Sequence, residues 1–375
     1  MILDLAIVGA GTAGAALAGH AARAGMRVIC VDRKPLAEAG ARWANGVPRW
    51  MFEEAGIDEP RGDERLGYGH PFHLVAGRGP TRVVVREHDV LDVDMRLLVA
   101  RLQRDALEAG ADLRGEVTVH GLDSGVLSTS TGELRARCFV DASGLAGARL
   151  VEQPRLPPTD VCTAAQQVRA ICDPAAARAF LERHEVEPRA TLCFTAVAGG
   201  YSIVSVRVDG DRVSLLTGSI PALGHPSGAR LLASFVGDNP WIGEVLFGGA
   251  RAIPLRRPRV LARGPVALLG DAASQVFSAH GSGIGIGLVA ARQLADALAR
   301  GAGPEGYARA FRRRWGMLLR SYDLFRRLSQ RLGARQVGWM MRAGVLSEAS
   351  VRTALEQRLP LIIPVRARSV MTRPG

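Results

Sequence analysis

Cysteine, lysine and long apolar runs are all scarce in this 375-residue sequence. The five cysteines, Cys30, Cys138, Cys162, Cys172 and Cys193, make no CxxC pair and no metal-ligand spacing, which argues against a disulfide framework or a structural zinc site. Cys30 and Cys138 fall within apolar strand patterns, where a thiol serves as a small inert core residue. No metal site is expected. Uninterrupted apolar runs stay short of the roughly 20 residues that a bilayer-spanning helix requires, and no charged-then-apolar leader precedes the first strand-like run. A cytoplasmic protein is expected. Lys34 is the only lysine, so arginine supplies nearly all of the positive charge behind a net +12. No nucleic-acid-binding motif accompanies that charge, and no nucleic-acid partner is expected.

Glycine, by contrast, is abundant at 44 residues, and its placement is informative. In LDLAIVGAGTAGAALAGHAARAGMRVICVDRK an apolar run from Leu3 to Val8 stops at Gly9, Gly11 and Gly14. An Ala-rich helical pattern follows, and a second apolar run from Val28 stops at Asp32. This is the strand, glycine turn, helix and strand of a dinucleotide-binding unit. Gly9 permits the tight turn, Gly11 lets a pyrophosphate approach the backbone, and Gly14 lets the helix pack closely on the sheet. Thr12 and Ala13 open the helix, where free N–H groups and the positive end of the helix dipole hold phosphates. Asp32, 23 residues after Gly9, is placed to bond a ribose hydroxyl, and its charge opposes a 2′-phosphate. These residues alone leave FAD and NAD open.

The turn-rich segment after Asp32 reads as a loop crossing over the ligand, with Arg33 and Arg42 as candidate ribose or phosphate contacts and Trp43 and Trp50 as packing residues. TRVVVREHDVLDV reads as one strand, after which Asp94 caps a helix with apolar residues at 95, 98, 99, 102 and 106; Gly110 ends it. Short strands follow in VTVHGL, which Val117 opens, in GVLSTS and in ELRARCFVDASG. The last ends at Asp141 with Gly144 close behind, the pattern of a second cofactor contact.

Between about 151 and 258 the pattern changes to antiparallel strands, TLCFTAVA, GYSIVSVRV and DRVSLLTGSI, with helices in PAAARAFLERH and GARLLASFVGD. This block carries no phosphate-binding glycine loop and reads as a separate sheet that shapes a pocket. PVALLGDAA is then a buried strand ending at Gly270 and Asp271, and the glycines from Gly281 to Gly287 open another helix, again offering N–H groups to something negative. The remaining chain is helical. Trp315, Leu318, Tyr322, Phe325, Leu328 and Leu332 recur at spacings of three and four with arginines on the other faces. Such a helix either packs on the main body or presents a basic surface to anionic lipid, a peripheral membrane contact.

Taken together, GAGTAG with Asp32, DASG at Asp141 to Gly144, and LLGDAASQVFSAHGSGIGIGL resemble the three FAD fingerprints of the para-hydroxybenzoate hydroxylase superfamily. Within it the chain is most similar to the geranylgeranyl reductase branch, over roughly residues 1–330. The resemblance implies an α/β fold, α+β overall: a Rossmann-like FAD-binding domain (1–70, 92–150 and 259–303), an inserted, mostly antiparallel β-sheet substrate domain (71–91 and 151–258), and a C-terminal helical region (304–375). It implies that Asp271, after Gly270, bonds the ribityl hydroxyls, and that Gly281, Ser282, Gly283 and Ile284 bring N–H groups to the pyrimidine edge of the flavin. It places Asp141 and Gly144 near the pyrophosphate and brings Arg96 and Val117 into the cofactor-binding set. Many relatives have proline where this chain has Ser278.

The function implied is an FAD-dependent oxidoreductase acting on a hydrophobic, prenylated or polycyclic small molecule, with hydride transfer at flavin N5 and NADH or NADPH as external electron donor. His280, Ser278 and Tyr201 are the candidate catalytic residues. His280, just before the glycine cluster, is placed to act as acid or hydrogen-bond donor, or simply to pack. The same fold also serves monooxygenases that work through a flavin C4a-hydroperoxide, while a halogenase fits less well because the chain lacks a WxWxIP-type motif. A membrane-associated flavin electron-transfer protein is the alternative from another class.

Overall fold

A computed structural model describes residues 2–359. Among them nine α-helices form: α1 (Thr12–Arg23), α2 (Arg49–Ala55), α3 (Met95–Glu108), α4 (Pro174–Arg183), α5 (Gly228–Gly237), α6 (Ile284–Ala299), α7 (Gly303–Ser329), α8 (Ala334–Arg342) and α9 (Glu348–Leu355).

The first sheet has a parallel heart. Leu3–Val8 lies between Val28–Val31 and Gly132–Asp141, and the latter continues to Val266–Leu268. Over residues 5–8, 28–31, 138–140 and 266–268 these strands are apolar on both faces, as covered parallel strands must be, and Leu5, Ile7, Cys30, Val140 and Leu268 have no exposure. Register decides the rest. Val8 stands beside both Val31 and Asp141, and Asp141 beside Leu268. The turns that follow these strands therefore leave the sheet side by side at its carboxyl edge, where ligands of open α/β sheets bind. Helix α1 packs against both α3 and α6, and α3 is capped by Asp94, which accepts a hydrogen bond from the Arg96 N–H at 2.9 Å.

The second sheet has seven strands, in the order Ile242–Pro254, Val161–Ile171, Arg212–Ser219, Ser202–Asp209, Thr191–Thr195, Phe72–Ala76 and Arg82–Val85. All pairings are antiparallel except that of Thr191–Thr195 with Phe72–Ala76. Strand Ser202–Asp209 alternates cleanly. Val204, Val206 and Val208 enter a core with Phe180 of α4 and Phe235 of α5, so Ile203, Ser205 and Arg207 point to the opposite face. That face is covered by α7, α8 and α9.

Several elements differ from the sequence reading. TRVVVREHDVLDV is two strands in different sheets: Arg82–Val85 ends the second sheet, whereas Val90–Asp94 forms a small third sheet with Ala44–Pro48 and Arg65–Tyr68. The polar Arg86–Asp89 between them breaks the ladder. The segment after Asp32 is not all loop, because Val47, Met51, Phe52 and Ala55 are fully buried in a strand and in α2. Two long strands, Val161–Ile171 and Ile242–Pro254, have no clear strand signal in the sequence. The first has Ala, Gln and Thr where an alternating apolar pattern would stand, and the second contains Gly248 and Gly249 and is largely exposed. The C-terminal helical pattern is three helices, α7 stopping at Ser329 and α8 restarting after Gly333. The remainder of the region read as helical, 360–375, lies outside the described residues.

Candidate active site

Two helix N-termini converge on one cavity. Its wall includes Gly11, Thr12 and Ala13 of the first glycine turn and Gly281, Ser282, Gly283 and Ile284 of the second. Neither α1 nor α6 has a side-chain cap at Gly11 or Gly283, whereas Asp94, Asp173 and Ser227 cap α3, α4 and α5. Uncapped N–H groups aimed into a cavity are an anion site, and two facing each other suit a ligand with negative charge at both ends. Backbone approach is guaranteed by shape. Gly9, at φ +107°, would put a Cβ 2.4 Å from the Ala142 carbonyl oxygen, and a Cβ on Gly14 would stand 1.8 Å from the Gly9 carbonyl oxygen. Gly14 thus lies behind the cavity and holds α1 on the turn, while Gly9, Gly11, Gly144 and Gly270 face the ligand space.

Asp32 lines the same cavity, oriented by the Ala10 N–H, which donates to Oδ2 at 2.8 Å, and the Lys34 N–H, which donates to Oδ1 at 3.0 Å. Val117 does not reach the cavity; its N–H donates to the Asp32 carbonyl and steadies that turn from behind. Asp141 differs from expectation. Its carboxylate accepts from Ser143 N–H at 3.1 Å, from the Ser143 hydroxyl, and from Leu150 N–H at 3.0 Å, so it shapes its own loop and leaves Ala142, Ser143 and Gly144 to face the ligand space. Buried Gln103 donates to the Ala10 and Leu36 carbonyls, tying α3 to the first glycine turn. Gln275 accepts from Gly270 N–H at 2.8 Å and donates to the Tyr307 hydroxyl at 2.6 Å, tying the Asp271 turn to α7.

The arginines divide. Arg33 lines the cavity. Arg42 instead donates to the Ala37 carbonyl on the surface, and Arg96 pairs with Asp94 at 2.6 Å with its guanidinium 3.6 Å from the Phe247 ring centre; neither lines the cavity. A second arginine joins Arg33 there: Arg251, on the edge strand of the second sheet, lines the cavity, reaches over to Asp271 at 3.2 Å and stands near the Trp43 ring. No local motif marks Arg251, because only the sheet's return path brings it there. Trp43 and Asn45, from the segment read as loop, also line the cavity.

Next to this space lies a second, apolar cavity of about 370 Å³. Its floor is the open face of the second sheet, with Ile203, Ser205 and Leu216, and its roof is α7 to α9, with Phe325, Val337, Met340 and Leu355. Asn45, Tyr201, Ile203, Leu216, His280 and Ser282 line both cavities.

Residues 4–52 match the family of FAD dependent oxidoreductases. Over 328 residues, 78% of this chain and 79% of the relative, the sequence is 30% identical to digeranylgeranylglycerophospholipid reductase 1 of Methanopyrus kandleri. It is 23% identical over 94% of its length to the digeranylgeranylglycerophospholipid reductase of Sulfolobus acidocaldarius, of which 83% is covered. The chain belongs to the geranylgeranyl reductase family of FAD-dependent oxidoreductases. Its fold matches that of a geranylgeranyl bacteriochlorophyll reductase-like protein from Thermoplasma acidophilum, with a TM-score of 0.78 and 16% identity over 91% of each chain. The flavin-dependent brominase Bmp2 shares the fold more distantly, at a TM-score of 0.67 and 14% identity over 96% of this chain and 94% of that one.

In this FAD-dependent oxidoreductase the cofactor fits the residues present. The uncapped turn of α1 and Asp32 suit the adenosine diphosphate half, and the uncapped turn of α6, with Asp271, suits the flavin half, whose reduced form carries charge near N1. Of the three candidate catalytic residues, two stand where the cavities meet. Tyr201 rises into the shared wall, and burial pushes its phenol well above the usual range. His280 is held between Phe277 and Tyr322, the latter edge-on at 5.5 Å. Burial lowers it to about 4, only partly opposed by the nearby Ala354 carbonyl, so it is a neutral imidazole at neutral pH, and its buried Nε2 has no hydrogen-bond partner. Ser278 lines neither cavity; it is buried within the turn with its hydroxyl unpartnered.

Proposed function

We propose that this oxidoreductase saturates carbon–carbon double bonds in the prenyl chain of a lipid, taking electrons from NADH or NADPH and working against a membrane surface. The observation that carries this reading is the apolar cavity that shares six lining residues with the FAD cavity. The names of the relatives supply the substrate class, a lipid with geranylgeranyl chains. A prenyl chain has almost no polar atoms, so a sheet face of Ile203, Leu216 and Cys193 under a roof of Val337 and Met340 binds it by excluding water.

FAD, when bound, supplies a hydride from its reduced N5. Saturating a double bond would require that hydride on one carbon and a proton on the other. Tyr201 keeps its Oη–H at neutral pH because its folded surroundings oppose the phenolate, and it presents this proton at the shared wall. His280, neutral and packed against Phe277 and Tyr322, shapes the wall that the two cavities share, and solvent reprotonates Tyr201 once the product leaves. Arg251 and Asp271 hold the wall on the flavin side.

The test is a single anaerobic turnover. Holoenzyme reduced by NADH or NADPH is mixed with a geranylgeranyl lipid, and flavin reoxidation is followed with the mass of the product. Oxygen-independent reoxidation with two hydrogens added per double bond is the expected result. Reoxidation that occurs only with oxygen, with substrate-stimulated oxygen uptake, would replace the reductase with a monooxygenase.

A further inference from the structure

The roof of the apolar cavity has an outer side. On α7, Met317, Leu324 and Leu328 stand at spacings of seven and four and so share one stripe, and each is more than half exposed. Trp339 of α8 is equally exposed, the one tryptophan that is. Seven of the thirteen exposed large hydrophobic residues among those described lie between Met317 and Leu359, a concentration too local to be ordinary surface scatter. The stripe is flanked by arginine. From Arg309 to Arg342 the sequence has ten arginines and one acidic residue, Asp323, which is buried and paired with Arg326 and Arg327. Among the described residues no carboxylate pairs with Arg313, Arg320 or Arg331.

We propose that the outer face of α7 and α8 docks on an anionic lipid bilayer and that the prenyl chain passes from the bilayer to the FAD site beside Phe325. The proposal rests on the prenyl-lipid reading above. Phe325 connects the two sides, because it both lines the cavity and is 43% exposed. Its neighbours on the helix are the leucines of the outer stripe on one side and the cavity roof on the other. A chain entering there moves from one apolar medium to another and is never hydrated. The charge pattern selects the occupant. Arginines beside exposed leucines and a tryptophan match an anionic headgroup layer over acyl chains, whereas a second copy of the face would oppose like charge with like.

Holoenzyme is sedimented with vesicles of phosphatidylcholine alone or mixed with phosphatidylglycerol, at low and high salt, while tryptophan fluorescence is followed. Binding is expected only to the anionic vesicles, weakened by salt, with a blue shift that Trp339→Phe abolishes. Leu324→Glu with Leu328→Glu should cut vesicle affinity at least tenfold, and Arg320→Gln with Arg331→Gln about fivefold per arginine, with the flavin spectrum unchanged. Turnover of vesicle-embedded prenyl lipid should fall in parallel, while turnover of the same lipid dispersed in detergent stays at the wild-type level. Failure of the wild type to bind anionic vesicles would overturn the proposal. So would binding that the leucine pair leaves untouched, since that behaviour belongs to a surface for acidic protein or nucleic acid. Docking without consumption of prenyl lipid in either form would instead retire the substrate reading, and consumption in detergent without docking would retire only this one.

Discussion

The FAD cavity and the apolar cavity share a wall but are made of different material. The first is backbone. Its ligand groups are the N–H rows at Gly11 and Gly283, and its shape depends on positions such as Gly9 and Gly14 where no Cβ fits. The second is side chain, contributed by strands of a different sheet and by three helices at the far end of the chain. A backbone site tolerates almost no substitution at its glycines and is indifferent to the identity of many neighbours. A side-chain site reverses both properties, so the two cavities should respond to mutation in opposite ways.

The sharpest way to break that contrast is Gly14→Ala. One methyl group would stand 1.8 Å from the Gly9 carbonyl oxygen, so α1 must lift from the turn. We expect colourless protein and a stability loss of about 3 kcal/mol, the upper end of overpacking, read by flavin absorbance and denaturant unfolding. Normal flavin content would mean that the turn is not the rigid element described. Ser205→Trp is the counterpart on the other side. It fills the apolar cavity away from the shared wall, and prenyl-lipid turnover should fall roughly 100-fold, about 3 kcal/mol in transition-state terms, with FAD affinity at the wild-type value.

Asp32→Ala removes the one side chain on which the adenosine half depends most. Loss of a charged hydrogen bond should weaken FAD roughly 10- to 100-fold, measured by titrating apoprotein, and the Ala10 N–H left without its acceptor should cost the apoprotein about 1 kcal/mol. The smallest effect is a pH dependence confined to the side-chain cavity. His280 sits at about 4 when folded against 6.5 ordinarily, so between those values the unfolded chain binds a proton that the folded one refuses. Stability contributed by neutral His280 is present above about pH 6.5 and is lost as pH falls toward 4, by roughly 2 kcal/mol at pH 5. His280→Gln should remove that component from the difference between unfolding curves at pH 7 and pH 5, and an unchanged difference would mean that His280 is not buried neutral.

Legibility followed the same division. The glycines, Asp32 and the Asp271 turn could be read because a phosphate-binding backbone leaves a local record: a strand, the residues that permit the turn, and a helix start. Asp141 ends its strand as the spacing indicates, but spacing is silent on whether its oxygens turn outward or, as here, serve Ser143 and Leu150. Arg42 and Arg96 were plausible by position and are engaged elsewhere. Arg251 and Asn45 sit in no motif: Arg251 reaches the cavity through the return of a distant strand, and Asn45 through a short strand whose pattern resembles a loop.

By itself, the sequence determined the parallel sheet, the two uncapped helix starts and hence a dinucleotide-type cofactor, because those depend on φ freedom and hydrogen-bond donors within a few residues. It also determined that the helix through Trp315 would carry arginine beside apolar residues. Tertiary structure decided what those features do. The register that sets Val8 beside Val31 and Asp141, and Asp141 beside Leu268, gathers the separate motifs at one edge. The crossing of the second sheet brings Tyr201 to within reach of Gly281, whose Cβ would lie 3.5 Å from the tyrosine hydroxyl. Closure of α7 over that sheet, possible because Gly200 leaves room for the Gln330 carbonyl, turns a bare strand face into a pocket. Such contacts join residues far apart in the chain, and no local propensity encodes them.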